Sequence, residues 1–494
     1  MIGLKVAAGW LELASCTVSM EVNSPFFDAD TIPGTISYPF ALALSPANVV
    51  ALNFPHVRAD QGEAIAPEPV QFYLEGLLRW VGSLVYLNCD EERQVLEYHF
   101  VADAADLATR LDGVSLPQLE LGTALLELRP DAALYALPCL RNTLFYDDGK
   151  VPAYGQVVNY YAGGAYQPQA GGKRSPIVPF LRLVPLLRRV FAALDYELAG
   201  DWLDLPEVRQ LVLYSDRAAE DAAGNVLGRF ALNRHVPDLP VADMLLALQK
   251  FFALGYDFHP VRRQVRIRAL RDVVADQGYV ARTGGPAKTT AVTADGYTLT
   301  MGLEADDELN KTLDTGWAKL VLGKGKQEIS TEAGTLHVVR ERDRVDYGGR
   351  EWLLPAVAAK GASPAYELGD DSRCGLRLLF DRGLCPDSAG ERYPLATWGR
   401  EDFVGDLHGT STLRWGGDDG LYATWHRAWL DFLDRATTRE AEMEFRVADL
   451  LTLDPARKEM VGHRKYLWEK VSLTLSTTGR TLEQARFTYR YVRL

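Results

Sequence analysis

Val241-Ala242-Asp243-Met244-Leu245-Leu246-Ala247-Leu248-Gln249-Lys250-Phe251-Phe252-Ala253-Leu254-Gly255-Tyr256-Asp257-Phe258-His259-Pro260-Val261-Arg262-Arg263-Gln264-Val265-Arg266-Ile267-Arg268 changes its hydrophobic period part-way along. Up to Leu254 the apolar residues recur at three and four, the spacing of one helix face. Asp238 and Pro240 are start signals, and Gly255 is the stop. From Phe258 the pattern becomes strand, turn, strand, which places Val265, Ile267 and Ala269 toward a core and Arg266 and Arg268 on the other side. The fold class read from this mixture of helix and strand is α+β.

A second copy of this texture lies 60 residues earlier. Phe180, Val184, Leu187, Phe191 and Leu194 keep helical spacing, with Pro185 either kinking the helix or marking its first turn. Leu186, Phe191, Ala193, Leu194 and Tyr196 are identical to Leu246, Phe251, Ala253, Leu254 and Tyr256. The unit read here is a helix followed by a strand, used twice.

Toward the N-terminus, residues 31–35 form a turn signal, and Pro39 in Tyr38-Pro39-Phe40 suits a strand end. Val70, Tyr73, Leu74, Leu77, Leu78 and Val81 predict a helix. Val95, Tyr98 and Phe100 predict a strand, and residues 103–110 a short helix. Residues 116–172 are rich in Pro, Gly, Tyr, Gln and Asn, with little helical periodicity. Aromatics are depleted in disordered chains, so Tyr160, Tyr161 and Tyr166 mark an extended arm packed on a neighbouring surface.

Residues 283–296 read as a loop and 297–303 as a strand. Short strand-like pieces separated by polar loops fill 310–410. Near the end, Gly420-Leu421-Tyr422 opens a helix with Leu421, Trp425, Trp429, Phe432 and Leu433 on one face. Strands follow at 442–447, 465–475 and 486–491, with a helical turn at 448–453. The divisions suggested are 1–115, 116–174, 175–300, 301–410 and 411–494; a length prior of about 150 residues per domain gives about three.

The 494 residues are 47% apolar and 24% charged, ordinary for a globular chain able to bury several cores. The net charge of −13 argues against a general nucleic-acid binder, whose affinity rests on neutralising phosphate. Residues 435–494 hold twelve basic and eight acidic residues, net +4, which leaves −17 for the rest. Cys16, Cys89, Cys139, Cys374 and Cys385 show no CxxC spacing, so neither a disulfide framework nor a zinc site is indicated. The most apolar stretch, 178–194, is broken by Arg182, Arg188 and Arg189 and predicts no transmembrane helix. Leu13-Ala14-Ser15-Cys16 resembles a lipoprotein cleavage box, but Glu12 interrupts a short apolar run; the simpler reading is a first strand with a buried cysteine.

GxSxG, HExxH, a P-loop lysine motif and a Rossmann glycine fingerprint are all absent. The eight histidines form no metal-like pair, and His426 is expected to be satisfied or exposed. Asp306-Asp307, Asp370-Asp371 and Asp418-Asp419 are read as turns rather than as glycosidase carboxylates. Trp415, Trp425 and Trp429 suit a buried or interface anchor as well as a sugar-stacking face. Arg262, Arg263, Arg266 and Arg268 form a basic patch, read as a solvated or interface face of a hairpin.

Residues 230–270, with Pro237-Asp238-Leu239-Pro240-Val241-Ala242-Asp243, Gly255-Tyr256-Asp257-Phe258 and Val265-Arg266-Ile267, resemble the central hub proteins of phage tails and baseplates, closest in texture to tail proteins of Bacteroidetes phages and prophages. Arg414-Trp415, Gly420-Leu421-Tyr422, Ala448-Asp449-Leu450-Leu451 and Arg464-Lys465-Tyr466-Leu467 resemble the closing module of that group. The resemblance covers roughly residues 175–275 and 410–494.

It implies barrel-like or sandwich-like β-domains with short packing helices and a non-enzymatic role without cofactor or metal. It also implies a place in the tail tip or baseplate of a virion, or in a related contractile injection particle. Implied partners are tube, spike and tail-tip proteins and further copies of the chain, as a homo-trimer or homo-hexamer. Candidate assembly residues are Tyr160, Tyr161, Tyr166, Arg262, Arg263, Trp415, Trp425 and Trp429. Two other classes stay open: a surface lipoprotein binding glycan or protein, and a tail-embedded glycan hydrolase with paired carboxylates about 5–10 Å apart.

Overall fold

The computed structural model describes residues 1–28, 35–102, 111, 113–146, 151, 153–292, 295–346, 348–362, 374–478 and 480–492. Of the turn expected at 31–35 all but Thr35, and the whole of the helix expected at 103–110 and of the Asp370-Asp371 pair, lie outside the described residues. The chain forms two compact units, each assembled from separated stretches. One comprises Met1–Asp112, Gly255–Ala294 and Ala428–Leu494, the other Gly113–Leu254 and Asp295–Arg427. Strands dominate both, with short helices between them, so the fold is α+β with β-rich parts.

Among the described residues the first unit is built on a fourteen-stranded sheet. Its N-terminal half runs through Gly9–Leu11, Ile2–Val6, Glu68–Leu74, Leu77–Asp90 and Val95–Ala102. Its C-terminal half runs from Thr17–Asn23 through Arg464–Ser476, Gln484–Tyr491 and Thr438–Glu444 to the terminal strand Ala287–Thr290. The two ends of the chain meet within it: Thr17 pairs with Ser476, and Asn23 with Lys470, antiparallel. Period-two alternation explains the pairing. Val18, Met20, Val471, Leu473, Phe487 and Met443 enter one core with Ile2, Leu4, Phe72 and Trp80. Their alternate neighbours face the other side of the sheet.

The helix expected over Val70 to Val81 is instead a hairpin of Glu68–Leu74 and Leu77–Asp90. Glu75 and Gly76 both have positive φ, 51° and 81°, the backbone of a two-residue turn matched to strand twist. Val70, Phe72 and Leu74 are buried while Gln71 and Tyr73 are not, so period two wins over an accidental three-four spacing. The loop expected at 283–296 contains the strand Ala287–Thr290, antiparallel to Thr438–Glu444. All four of its residues are exposed, so it carries no apolar alternation to announce it. Cys16 is exposed just before Thr17–Asn23, where the sequence suggested burial.

The expected hairpin over 258–268 forms from Leu254–His259 and Gln264–Ala269, joined by a tight turn at Pro260–Arg262, and Val265, Ile267 and Ala269 are buried. Gly255 sits within the strand rather than stopping the helix: a Cβ there would meet the Phe26 ring at 2.3 Å.

In the second unit, helix Leu183–Ala193 buries Leu183, Val184, Leu186, Leu187, Val190 and Phe191. Pro185 lies in its first turn, where a missing N–H removes no intrahelical bond. Helix Val241–Phe252 buries Met244, Leu245, Leu248, Phe251 and Phe252, carries Asp243 in its first turn, and ends at Ala253 in the left-handed region with φ 48°. Asp238 does not cap it; the N-cap is Pro240, without a side-chain bond. The expected β texture of 310–410 appears as Lys319–Leu322, Gln327–Thr331, His337–Arg342, Glu351–Val357, Leu378–Pro386 and Arg392–Thr397. Among the described residues no helix is long and apolar enough to cross a membrane.

Candidate functional site

The three tyrosines singled out in the sequence lie inside the second unit. Tyr160 is 1% exposed and donates its hydroxyl to Asp343 Oδ2 at 2.8 Å. Its ring meets Trp352 edge-on at 5.8 Å. The Arg350 guanidinium covers Trp352 at 4.2 Å and binds Asp343 at 2.8 Å, Asp387 at 3.4 Å and the Tyr161 carbonyl at 2.8 Å. Tyr161 and Tyr166 pack edge to face at 4.9 Å, and the Tyr166 hydroxyl donates to the Leu137 carbonyl at 2.9 Å. Burial raises the pKa of both the Tyr160 and the Tyr166 phenols. The arm thus packs against its own chain, with the Tyr160 and Tyr166 hydroxyls held there.

The indoles are buried too. Trp415 is fully buried against Phe251 and His426, at 6.2 and 5.1 Å. Trp425 is 4% exposed and packs on Phe252 at 5.5 Å. Trp429 is 5% exposed and packs on Phe27 and Phe432. None offers an open face for a sugar ring. His426 is satisfied: its Nε2 donates to the Phe251 carbonyl at 3.1 Å, and burial lowers its pKa to about 4, which keeps it neutral. Arg262 and Arg263 are exposed at the hairpin turn, Arg263 with φ 49°.

The polar face of the first unit's sheet forms a cleft of about 1000 Å³. Four carboxylates (Glu21, Glu440, Glu442, Glu483) and three cations (Lys470, Arg480, Arg486) line it, so its walls are close to neutral despite the acidic chain. Lys470 Nζ lies 2.5 Å from Glu21, which also accepts from the Tyr38 hydroxyl at 2.8 Å. Partial burial acts to raise the Glu21 carboxyl, and these two hydrogen bonds more than offset it, so its pKa falls.

Two polar clusters in the second unit have no counterpart in the sequence reading. In the first, Arg217 holds Asp238 at 2.5 Å and lies 3.6 Å from Asp216, while Ser215 Oγ is 3.4 Å from His235 Nδ1. Burial, only partly countered by Arg217, raises Asp216 to about 7, and burial lowers His235 to about 3. Ser215, Asp216 and His235 are each at most 3% exposed, so these three brace loops and present no open face to a substrate. The second comprises Cys385, Asp402 and His408, whose donor atoms all lie within 4.8 Å of one another. His408 Nε2 is 2.9 Å from Asp402 Oδ2 and 3.7 Å from Cys385 Sγ. One imidazole nitrogen faces both partners, so this is not a relay in which opposite nitrogens serve a nucleophile and an orienting acid. Residues 385, 402 and 408 are too far apart in sequence for a spacing motif; only the Asp-x5-His pair was visible, and it matches no ligand pattern.

No family model matches the sequence, and no curated protein matches it. Among solved structures, the tail protein from Neisseria meningitidis MC58 aligns with 99% of this chain and 95% of its own, at 8% identity and a TM-score of 0.37. The 43 kDa tail protein of prophage MuSo2 from Shewanella oneidensis gives the same coverage, identity and score. The E. coli c3393 protein, described as a type VI secretion component structurally similar to T4 bacteriophage tail proteins gp27 and gp5, aligns over 98% of this chain and 76% of its own, at 7% identity and a TM-score of 0.29.

Proposed function

We propose that the chain is a non-enzymatic structural component of a tail tip or baseplate hub, joining the tail tube to spike or host-contacting parts as a homo-trimer or homo-hexamer. The observation that carries this reading is the outer strand of the fourteen-stranded sheet. Ala287–Thr290 is paired only with Thr438–Glu444 among the described residues, and all four of its side chains are exposed. An exposed edge presents backbone groups able to pair with a strand from another chain. The near-neutral polar cleft and the internally consumed tyrosines and tryptophans leave assembly as the role best matched to this surface. The sequence resemblance over roughly residues 175–275 and 410–494 supports the same assignment.

Light scattering and negative-stain imaging of the purified chain test it, alone and mixed with a tail-tube and a spike protein. Threefold or sixfold rings, weakened by Ala287→Lys with Thr289→Lys on the edge strand, are the expected result. A chain that stays monomeric and binds neither partner overturns the reading.

A further inference from the structure

We propose that Cys385, Asp402 and His408 form a zinc-type metal site that clamps the 400–408 loop to the strand Leu378–Pro386. The donor set is one thiol, one imidazole and one carboxylate, the mixture that Zn²⁺ favours. Tetrahedral coordination with ordinary bond lengths separates sulfur from nitrogen by about 3.6 Å and nitrogen from oxygen by about 3.3 Å. The structure places these two pairs at 3.7 and 2.9 Å, within a few tenths of an ångström of those spacings, and keeps all three donors within 4.8 Å, so closing on an ion draws the sulfur and the carboxylate oxygen together by at most about 1.2 Å.

The loop is built to aim the carboxylate. Asp402 Oδ1 accepts the backbone N–H groups of Val404, Gly405 and Asp406 at 3.0, 3.1 and 3.0 Å, which leaves Oδ2 turned to His408. Such anchoring of a ligand's second oxygen is the outer-shell support that metal carboxylates carry. The His408 side chain is 33% exposed, which gives an ion an entry path, while Asp402 and Cys385 are buried. Binding displaces the thiol proton to solvent and requires the imidazole proton to sit on Nδ1. With three protein donors, water fills the fourth position. The competing account is a plain histidine–carboxylate hydrogen bond that ties the loop, with the cysteine a packing residue.

The test uses the full chain, dialysed free of metal and then titrated with Co²⁺ and with Zn²⁺. Expected are one Co²⁺ per chain with a thiolate-to-cobalt charge-transfer band in the near ultraviolet, displaced by Zn²⁺, and a Zn²⁺-dependent rise in melting temperature. Cys385→Ser removes the band, and His408→Ala weakens binding by more than the roughly 10–100-fold typical of outer-shell losses. X-ray absorption on the zinc-loaded wild type needs no variant: one sulfur with nitrogen and oxygen neighbours supports the site. No Co²⁺ or Zn²⁺ retained once the titrated chain is freed of excess ion, a shell of oxygen alone, or a band unchanged in Cys385→Ser overturns it.

Discussion

Replacing Arg350 by methionine removes the guanidinium that faces Asp343 and Asp387 while keeping much of the side-chain volume. Both carboxylates are almost completely buried, at 3% and 1% exposure, so each loses its cation where water cannot replace it. Breaking a buried pair from one side costs about 3–5 kcal/mol. The lower end applies here. Asp343 keeps the N–H groups of Val345 and Asp346 and the Tyr160 hydroxyl, and Asp387 keeps those of Ala389 and Glu391. Loss of the contact over Trp352 adds about 0.5–2 kcal/mol. The sum is about 3.5–5 kcal/mol, and at about 2–4 °C per kcal/mol for a unit of this size the midpoint falls by roughly 7–20 °C. Thermal and urea unfolding followed by circular dichroism and tryptophan fluorescence measure it. Adding Asp343→Asn and Asp387→Asn to Arg350→Met recovers part of the loss, because the penalty lies in the stranded charges. A cost below about 1 kcal/mol for Arg350→Met, or no recovery in the triple variant, refutes the account of this network as a buried ionic brace.

Gly255→Ala places a methyl 2.3 Å from the Phe26 ring and is expected to cost about 1–3 kcal/mol, with most of it regained in Gly255→Ala/Phe26→Leu by chemical denaturation. His426 titrates at about 4 when folded because of burial, so the unfolded chain takes up its proton first as pH falls from 6.5. Its contribution is intact above pH 6.5 and about 3 kcal/mol is lost by pH 4; His426→Gln, which keeps an N–H donor, flattens that limb, and parallel wild-type and variant profiles between pH 7 and 4 would falsify the assignment. Deleting residues 1–15 removes Ile2, Leu4, Val6 and Leu11 from the core and is expected to abolish the cooperative unfolding of the first unit; a truncated chain that melts like the full one contradicts the sheet order described.

Much of the local structure could be read from hydrophobic period alone. The helix Val241–Phe252, the hairpin after it and the strands at Arg464–Ser476 and Gln484–Tyr491 each bury one face, and burial of one face is what period records. The signal failed where period was ambiguous or missing. Residues 70–81 offered a three-four spacing that the Glu75-Gly76 turn overrode, and Ala287–Thr290 has no buried face at all. Pairing between segments is a different kind of information. Thr17–Asn23 meets Arg464–Ser476 across some 450 positions, and nothing local to either strand names its partner. The discontinuity of both units follows from such pairings.

The candidate residues show the same division at the level of side chains. The tyrosines of 160–166 correctly signalled order, since a chain that keeps so many aromatics has apolar area to bury. What they bury against depends on Arg350, Trp352 and Asp343, nearly two hundred residues away, and composition cannot distinguish a neighbour's surface from the chain's own. The tryptophans behave likewise: helical spacing marks an anchoring face, while the matching surface on Phe251 and Phe252 belongs to another helix. Arg262 and Arg263 are the exception, because a turn between two strands must lie at the surface to satisfy its own backbone. A residue whose exposure is dictated by local geometry can be placed from sequence; one whose burial is decided by a distant partner cannot. By that criterion the hairpin arginines could be placed at the surface from sequence and the edge strand Ala287–Thr290 could not; under the proposed assembly role both exposed elements are where contacts are tested, and substitutions at the buried tyrosines and tryptophans are expected to alter folding first.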